Sequence, residues 1–485
     1  MDERERIQHL RRIKVIVTEI FMFISVICLV VFLTLVVTGY SFNLKKLGGQ
    51  GEVIERTGLI QISSLPTGAT ITIDGGIPLL LRTNASRALG VGEHEILLSR
   101  EGYGEWKKTV SLKEGMMYRV NYPRLFLEER EAEKVTTLEG LSATSVAPNM
   151  EKMIALANGK FYLYSLNETK STIEALEVLN GDKVVEKIES FEEIEWGGNS
   201  ERLLAKINGK YGVLSVKKTA EVVFLDEIWK ELKVSKVRLE SEAGDKLIVL
   251  DEAGELREID LKSKKISEVL LKGVLGFDND GEDVVYIRKR SDEEMKAKAE
   301  DEEETEKSRY TLEAYQIGAE ESYLIAELSD EKPKISTMKY FNDNLCAVVS
   351  GGKIEVYASE EWPGEDFEME KVFEGEIGFE AKELLKRGKG MAFSIRGVNG
   401  EELVYDVEAE KMIKVELSTT NGWVDEFLRF ELGEEGEMSV VDYDGLNKRK
   451  LVEKGVNGKQ KIVVSGNNKW LYYFKGETLT RERII

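Results

Sequence analysis

The chain has 485 residues, a formal net charge of -21, two histidines and two cysteines. This acidic balance argues against nucleic acid as a partner, because binding the phosphate backbone requires clustered Lys and Arg. The scarcity of histidine argues against serine-protease-type triads and multi-histidine zinc sites. Cys28 and Cys346 fall in different predicted regions, so we expect no disulfide and a stability that comes from a large core.

An apolar run from Val15 to Val37 is the first predicted element. As a helix it would be roughly 34 Å long, which is enough for a bilayer core of about 30 Å. Five Arg and Lys residues precede it, so the positive-inside rule places residues 1–14 in the cytoplasm and the rest of the chain outside. We predict a transmembrane helix over 15–40, in contact with the lipid bilayer through residues 15–37, and a single-pass cell-membrane location. A cleaved signal peptide is the alternative, but the run is long for one and no Ala-x-Ala site follows it.

Residues 41–56 contain three glycines and predict a flexible linker. From residue 57 the pattern changes to alternating apolar and polar side chains broken by turn signals. The stretch from Ile60 to Asp74 (IQISSLPTGATITID) predicts two strands joined by a turn at Pro66-Thr67-Gly68-Ala69. We therefore predict a small β-sandwich over residues 57–127.

This sandwich segment resembles the PEGA domain, a β module of bacterial and archaeal surface proteins. Its turn occupies the Pro-Glu-Gly-Ala position, with Thr67 in place of the Glu, and His94 stands where the family has a Gly-x-His before a strand. The resemblance implies surface interaction or assembly and no assigned catalysis. The usual Gly-Thr-Pro stretch after the second strand is replaced by Gly76-Ile77-Pro78 and three leucines.

Residues 128–141 are rich in charge and predict a linker. Beyond them a unit recurs in which a polar turn, an apolar strand, a second turn and an amphipathic strand follow one another. Eight copies begin near residues 147, 197, 243, 279, 342, 387, 423 and 465. The mean spacing of about 45 residues is typical of propeller blades. The pattern resembles TolB or WD40-like propellers and predicts a β-propeller over residues 142–485, with eight blades favoured over seven.

The predicted fold class is thus an all-β ectodomain, a small β-sandwich plus a seven- or eight-bladed β-propeller, on one N-terminal transmembrane α-helix. Its residues predict no catalytic, cofactor-binding or metal-ligating site, and no cofactor. Asp278 to Asp283 resembles the start of a calcium loop, but Lys289 stands where the twelfth-position Glu is needed, which favours a repeat turn. Asp442-Tyr443-Asp444-Gly445 is likewise interpreted as a strand ending in a turn.

Two further features allow more than one interpretation. The charge-rich stretch from Ser291 to Ser308 favours a solvated insertion with transient helix, and a docking tail for a basic partner is the alternative. Four tryptophans favour packing between blades, and a carbohydrate platform is the alternative; they are Trp196, Trp362, Trp423 and Trp470.

For function, the sequence favours a non-enzymatic, membrane-anchored scaffold of the cell envelope. Its propeller face would bind an unknown envelope protein or a glycan. The alternative is an envelope enzyme of the glycan-hydrolase type, which needs two carboxyl groups about 5–10 Å apart at the propeller axis. A transmembrane sensor is a weaker hypothesis, because only residues 1–14 would lie inside the cell.

Overall fold

The structure is a computed structural model, and it describes residues 3–37, 40–42, 54–167, 173–217, 219–241, 243–299, 308–329, 332–362, 369–387, 391–415, 420–425 and 427–485. The chain divides into two compact units, Met1–Phe126 and Leu127–Ile485.

The first unit begins with a long helix, α1, over Glu3–Val37. The predicted cytoplasmic tail at 1–14 is therefore helical from Glu3 onward, because it contains good helix formers and neither Gly nor Pro. Large apolar side chains of α1 are exposed at successive positions, among them Phe21, Met22 and Phe23. Within the described residues, no helix combines the length and the apolar character that crossing a membrane requires. The predicted transmembrane span is thus not confirmed and stays a prediction.

The rest of the first unit is the predicted β-sandwich. One sheet contains β1 (Tyr40–Phe42), β2 (Ile54–Ile62), β4 (Ala85–Gly90) and β7 (Met117–Val120). The other contains β3 (Thr70–Ile73), β5 (Gly92–Arg100) and β6 (Tyr103–Leu112). Alternate side chains of β6 are buried, as expected for a strand with one face on the core. Ile60, Ile96 and Trp106 are among the residues buried in this unit.

The predicted flexible linker at 41–56 is corrected at both of its ends. β1 pairs with the start of β2, with Tyr40 opposite Arg56 and Phe42 opposite Ile54. Strand pairing satisfies the backbone N–H and C=O groups of these residues, which a free linker would leave to water. The middle of the predicted linker, residues 43–53, lies outside the described residues.

The second unit consists of eight sheets, counted over the described residues, and each is numbered here as a blade. The first four blades are β9 (Leu141–Val146) to β12 (Ile173–Leu176), β15 (Phe191–Trp196) to β18 (Ala220–Phe224), β19 (Val234–Leu239) to β22 (Lys265–Ile266), and β23 (Val274–Asp280) to β26 (Tyr323–Leu328). Their middle strands are β10 (Lys152–Ala157), β11 (Lys160–Ser165), β16 (Arg202–Ile207), β17 (Lys210–Ser215), β20 (Lys246–Asp251), β21 (Leu256–Asp260), β24 (Asp283–Lys289) and β25 (Tyr310–Gln316). Blade 2 gains β13 (Val178–Asn180) and β14 (Lys183–Val184) at its outer edge.

Blades 5 to 7 follow the same order of four antiparallel strands. Blade 5 consists of β27 (Lys334–Tyr340), β28 (Asp343–Ser350), β29 (Lys353–Ser359) and β30 (Glu370–Glu376). Blade 6 consists of β31 (Ala381–Arg387), β32 (Ala392–Gly397), β33 (Glu402–Asp406) and β34 (Lys411–Val415). Blade 7 consists of β35 (Thr420–Trp423), β36 (Leu428–Leu432), β37 (Met438–Asp442) and β38 (Arg449–Val452). Within the described part of the unit, two short helices interrupt the series, α2 (Leu225–Ile228) after β18 and α3 (Asp292–Ala299) after β24.

Blade 8 closes the ring with a strand from the other end of the unit. Its strands are β39 (Val463–Val464), β40 (Trp470–Lys475), β41 (Thr478–Arg483) and β8 (Ala132–Thr137). β8 lies inside the segment predicted as a charged linker at 128–141, so that prediction is wrong for these residues. The segment lacks an apolar face because β8 is an outer strand whose side chains are mostly exposed.

The blades stand side by side around an axis. The first strands of successive blades contact one another from β15 through β19, β23 and β27 to β31, so these strands lie innermost. Buried apolar clusters fill the layers between neighbouring blades from blade 8 through blade 1 to blade 6. All eight predicted copies correspond to blades, and β8 completes the eighth. The architecture is an eight-bladed β-propeller.

Candidate functional site

The innermost strands carry charged side chains that bind one another across blades. Arg238 on β19 donates through Nε and Nη2 to both carboxylate oxygens of Glu195 on β15, at 2.9 and 2.8 Å. Its Nη1 donates to Asp278 on β23. The second oxygen of Asp278 accepts a hydrogen bond from the backbone N–H of Thr337 on β27, at 2.9 Å. This set of side chains, named here the axial ladder, links blades 2, 3, 4 and 5.

Electrostatics strengthen the axial ladder. Burial by itself lowers the pKa of Arg238, but the Asp278 and Glu195 carboxylates outweigh that effect and raise its pKa above the ordinary value. Glu195 also accepts the backbone N–H of Leu239 at 2.9 Å. The two carboxylates therefore have fixed hydrogen-bond partners on the guanidinium and the backbone. An arrangement of this kind holds strands together and leaves neither carboxylate as a free acid or base.

The calcium-like segment from Asp278 to Asp283 is part of β23 and its turn. Asp278 faces Arg238, and the side-chain amide of Asn279 donates to the carbonyl of Leu239 at 2.9 Å. No group of three or more His, Cys, Asp or Glu side chains placed to hold a metal ion occurs among the described residues. The segment ends β23 at Asp280 and turns into β24 at Asp283, as the interpretation of a repeat turn expects.

A second polar cluster lies between blades 6 and 7. Glu402 accepts hydrogen bonds from Ser394 Oγ at 2.5 Å and from Trp423 Nε1 at 3.3 Å. The Arg387 guanidinium lies over the Trp423 ring at 4.5 Å, and Arg429, only 1 % exposed, lies over it at 5.8 Å. Among the described residues, Nε and Nη2 of both arginines have no hydrogen-bond partner. This cluster, named here the arginine layer, replaces an apolar contact with charge and cation–π packing.

In the arginine layer, unlike in the axial ladder, burial leaves the arginine pKa values below their ordinary value. Burial lowers the pKa of Arg387 to about 10, with help from the positive charge of Arg396. It also lowers the pKa of Arg429, although Glu402 opposes the shift. The atoms without partners are inaccessible to solvent, so the structure as it stands has no room for a bound anion beside them.

The four tryptophans lie in separate layers and form no shared platform. Trp196 packs between blades 1 and 2, Trp362 between blades 4 and 5, Trp423 between blades 6 and 7, and Trp470 between blades 8 and 1. Trp196 donates its Nε1–H to Ser145 Oγ at 2.8 Å, and the Arg481 guanidinium covers Trp470 at 4.2 Å. These contacts match the interpretation of packing between blades.

The Asp442–Gly445 segment is also structural. Gly445 N–H donates to the carbonyl of Asp442 at 2.9 Å, which closes a turn after β37. Tyr443 donates its hydroxyl to Asp406 at 2.6 Å and so connects blade 7 to blade 6.

The acidic insertion is anchored where it begins. Ser291 Oγ accepts the N–H of Glu294, and Glu294 accepts the N–H of Ser291 at 2.7 Å, which is a capping box at the start of α3. Arg288 binds Glu294 at 2.8 Å, and Arg309 binds Asp292. The expected transient helix is thus an eight-residue helix over Asp292–Ala299. Residues 300–307 of the insertion lie outside the described residues.

A pocket of about 580 Å³ opens between blades 3 and 4, next to α3. The turn from Asp251 to Gly254 forms one wall, and Lys289, Arg309 and Asp292 line the other side. Leu275 lies in this pocket and is nearly half exposed. The combination of both charges with an exposed apolar side chain is suited to a polypeptide segment.

In the sandwich, His94 connects three segments. Its Nδ1 lies 2.8 Å from Asp74 Oδ2, and its Nε2 lies 2.7 Å from the carbonyl oxygen of Gly90. Burial lowers the pKa of His94, but these two acceptors outweigh it and raise the pKa above its ordinary value. The hydrogen bond from His94 in turn lowers the pKa of Asp74. His94 is the third residue of β5, so the Gly-x-His position lies at the start of this strand.

Sequence reasoning missed the axial ladder and the arginine layer. Arg238 is 43 residues from Glu195 and 40 from Asp278, and no local spacing announces such pairs. The capping box could have been predicted from the sequence, because Ser291 and Glu294 have the required spacing at the start of a helix.

The comparison with protein families supports the first module. Residues 57–125 match the family model described as the PEGA domain. No curated protein matches the chain. Among solved structures, the chain is similar to the C-terminal WD40 domain of Sif2, at 12% identity over 73% of this chain and 98% of that chain with a TM-score of 0.45. It is also similar to an oligogalacturonate lyase in complex with manganese, at 11% identity over 73% and 98% with a TM-score of 0.38. Both TM-scores are low, so the propeller assignment rests on the eight sheets of this structure.

Proposed function

We propose that this protein is a non-enzymatic interaction scaffold, with a PEGA domain and a propeller held at the outer surface of a cell membrane. The observation that carries the scaffold role is the axial ladder. At the propeller axis, where an enzyme would place reactive carboxylates, Glu195 and Asp278 bind Arg238 instead. The propeller then offers surfaces, and the pocket beside Leu275 is the one best suited to a partner polypeptide.

Exposed side chains of α1 support the anchor. Phe21, Met22 and Phe23 are 73%, 64% and 69% exposed, and residues at such spacing point in directions about 100° apart. A helix that is apolar all round is found in a protein core or in a bilayer. Side chains of α1 are described at residues 16–31 and 33–34, and the sequence continues apolar from 35 to 37. The cytoplasmic N-terminus and the external C-terminal part follow from the basic residues before the run.

The scaffold role is tested by site-specific photo-crosslinking in intact cells of the source organism. A photoreactive residue replaces Leu275 in the full chain, and the same residue at Leu324, 53% exposed on β26, is the matched control. We expect one defined protein adduct at Leu275 that is absent at Leu324 and that Arg309→Glu reduces. Identical adducts at both positions would contradict the pocket, and a glycan cleaved by the purified chain would contradict the non-enzymatic role.

A further inference from the structure

The sandwich has an exposed apolar loop that differs in charge from the rest of the chain. The loop follows β3, and it exposes Ile77 at 90%, Leu81 at 59% and Leu80 completely. Together with β4 it forms a stretch over residues 75–92 that contains two arginines and no Asp or Glu. The chain contains 89 Asp and Glu among 485 residues, so a stretch of this length would hold about three acids at the average frequency. This stretch is named here the apolar loop region.

Hydrogen bonds place the start of this loop near the strand that follows α1. Asp74, where the loop begins, binds His94, and His94 binds the carbonyl of Gly90.

The end of β4 connects this point to the strand that follows α1. Gly90 is the strand partner of Thr57, and the next residue, Val91, donates its N–H to the carbonyl of Arg56 at 3.2 Å. Arg56 is in turn the strand partner of Tyr40, three residues after the end of α1. The start of the loop therefore lies at the end of the sandwich where the chain arrives from α1. From there the loop runs back beside β3, where the N–H of Leu79 donates to the carbonyl of Ile71 at 2.8 Å.

The charge of the apolar loop region itself favours an anionic surface, because the region carries two arginines and no acid. Two carboxylates near the start of the loop have basic partners, since Asp74 binds His94 and Glu114 binds Arg56 at 2.5 Å. Arg82 and Arg87, both exposed, belong to the apolar loop region itself. Leaving large aliphatic side chains in water is unfavourable in proportion to their exposed apolar area, and burial in acyl chains recovers this free energy.

We propose that the apolar loop region inserts Ile77, Leu80 and Leu81 into the headgroup layer of the bilayer that holds α1, with Arg82 and Arg87 binding anionic lipid. This inference rests on the proposed membrane anchor. The loop then provides a second contact with the membrane and holds the sandwich against it. With α1 as the single contact, the sandwich would be free to tilt relative to the membrane.

The test uses the full chain reconstituted into vesicles of phosphatidylcholine and phosphatidylglycerol. In a Cys28→Ala background, Leu80→Cys is labelled with an environment-sensitive fluorophore, and Leu324→Cys is the matched exposed control. The remaining Cys346 is buried, and burial raises the pKa of its thiol, so it reacts slowly. We expect a lipid-borne quencher to remove most of the Leu80 emission and little of the Leu324 emission. Arg82→Glu with Arg87→Glu, or vesicles of phosphatidylcholine alone, should weaken this quenching.

Flotation after a high-salt and alkaline wash separates the two proposals. A chain that floats with vesicles while its Leu80 probe behaves like the Leu324 probe overturns the loop contact and leaves the anchor standing. A chain that does not float overturns the anchor and, with it, the loop contact. A Leu80 emission shift that follows protein concentration and ignores the lipid quencher would assign the loop to a second copy of this chain and would also overturn the proposal.

Discussion

Two layers between blades of the same propeller are built in opposite ways. Between blades 1 and 2, buried apolar residues such as Phe161, Leu203 and Leu214 fill the space, and Phe161 contacts Phe191 edge to face at 5.1 Å. Between blades 6 and 7, the arginine layer places Arg387 and Arg429 around Trp423 and Glu402. The apolar layer stabilises by burial alone, whereas the arginine layer must offset the desolvation of charge. Blade packing therefore tolerates polar filling, but polar filling yields less stability.

Of the two layers, the apolar layer should show the larger effect. Phe161→Ala should lower the free energy of unfolding of the propeller by about 3–5 kcal/mol, because it removes a fully buried ring and leaves a cavity. Urea unfolding of the full chain, followed by far-UV circular dichroism, measures this loss. Tyr162→Ala on the same strand, only partly buried, is the control and should cost less. An equal loss for both variants would mean that the layer is not the main source of stability.

A smaller, pH-dependent effect is expected in the sandwich. Both ring nitrogens of His94 face acceptors, so the charged imidazolium makes both hydrogen bonds. Because folding raises the pKa of His94, its stabilisation is fully present below the unfolded pKa of about 6.5 and disappears as pH rises through the folded value. His94→Gln should therefore cost about 1 kcal/mol at pH 5 and less at pH 9.

The titration itself can be followed by NMR, since the chain contains just two histidines, His9 and His94. The imidazole resonances of His94 should titrate at a higher pH than those of a random-coil peptide. Asp74→Asn is the control and should move that midpoint down. A midpoint at or below the random-coil value would contradict the hydrogen bonds to Asp74 and Gly90.

The smallest expected effect belongs to the arginine layer. Arg429→Met should change the free energy of unfolding by less than about 1 kcal/mol in either direction. Nε and Nη2 of this buried guanidinium have no hydrogen-bond partner among the described residues, and Glu402 keeps its contacts with Ser394, Trp423 and Arg396. Glu402→Gln in the same layer should cost more, because it leaves the nearby guanidinium groups without their shared carboxylate. Urea midpoints compare the two variants. A loss for Arg429→Met as large as that for Phe161→Ala would erase the difference between the layers.

The sequence predicted the eight repeats because their turns are local. Asn158-Gly159 and Asn208-Gly209 adopt positive φ angles at both positions, which Asn and Gly tolerate better than other residues. β8 was missed because an exposed outer strand need not alternate apolar and polar residues. The axial ladder was missed because its partners, about 40 residues apart in sequence, are brought together only by the packing of consecutive blades. The residues at the centre of the propeller were thus the least predictable from local pattern.

The central claim is that the charged side chains at the propeller axis hold blades together. A double-mutant cycle with Arg238→Met and Glu195→Gln measures their coupling in the free energy of unfolding most directly. Arg238→Met alone should cost about 3–5 kcal/mol, since it leaves two carboxylates without their guanidinium. The coupling energy should be at least about 2 kcal/mol. A coupling near zero, with each variant as stable as the natural chain, would contradict a structural role for these residues.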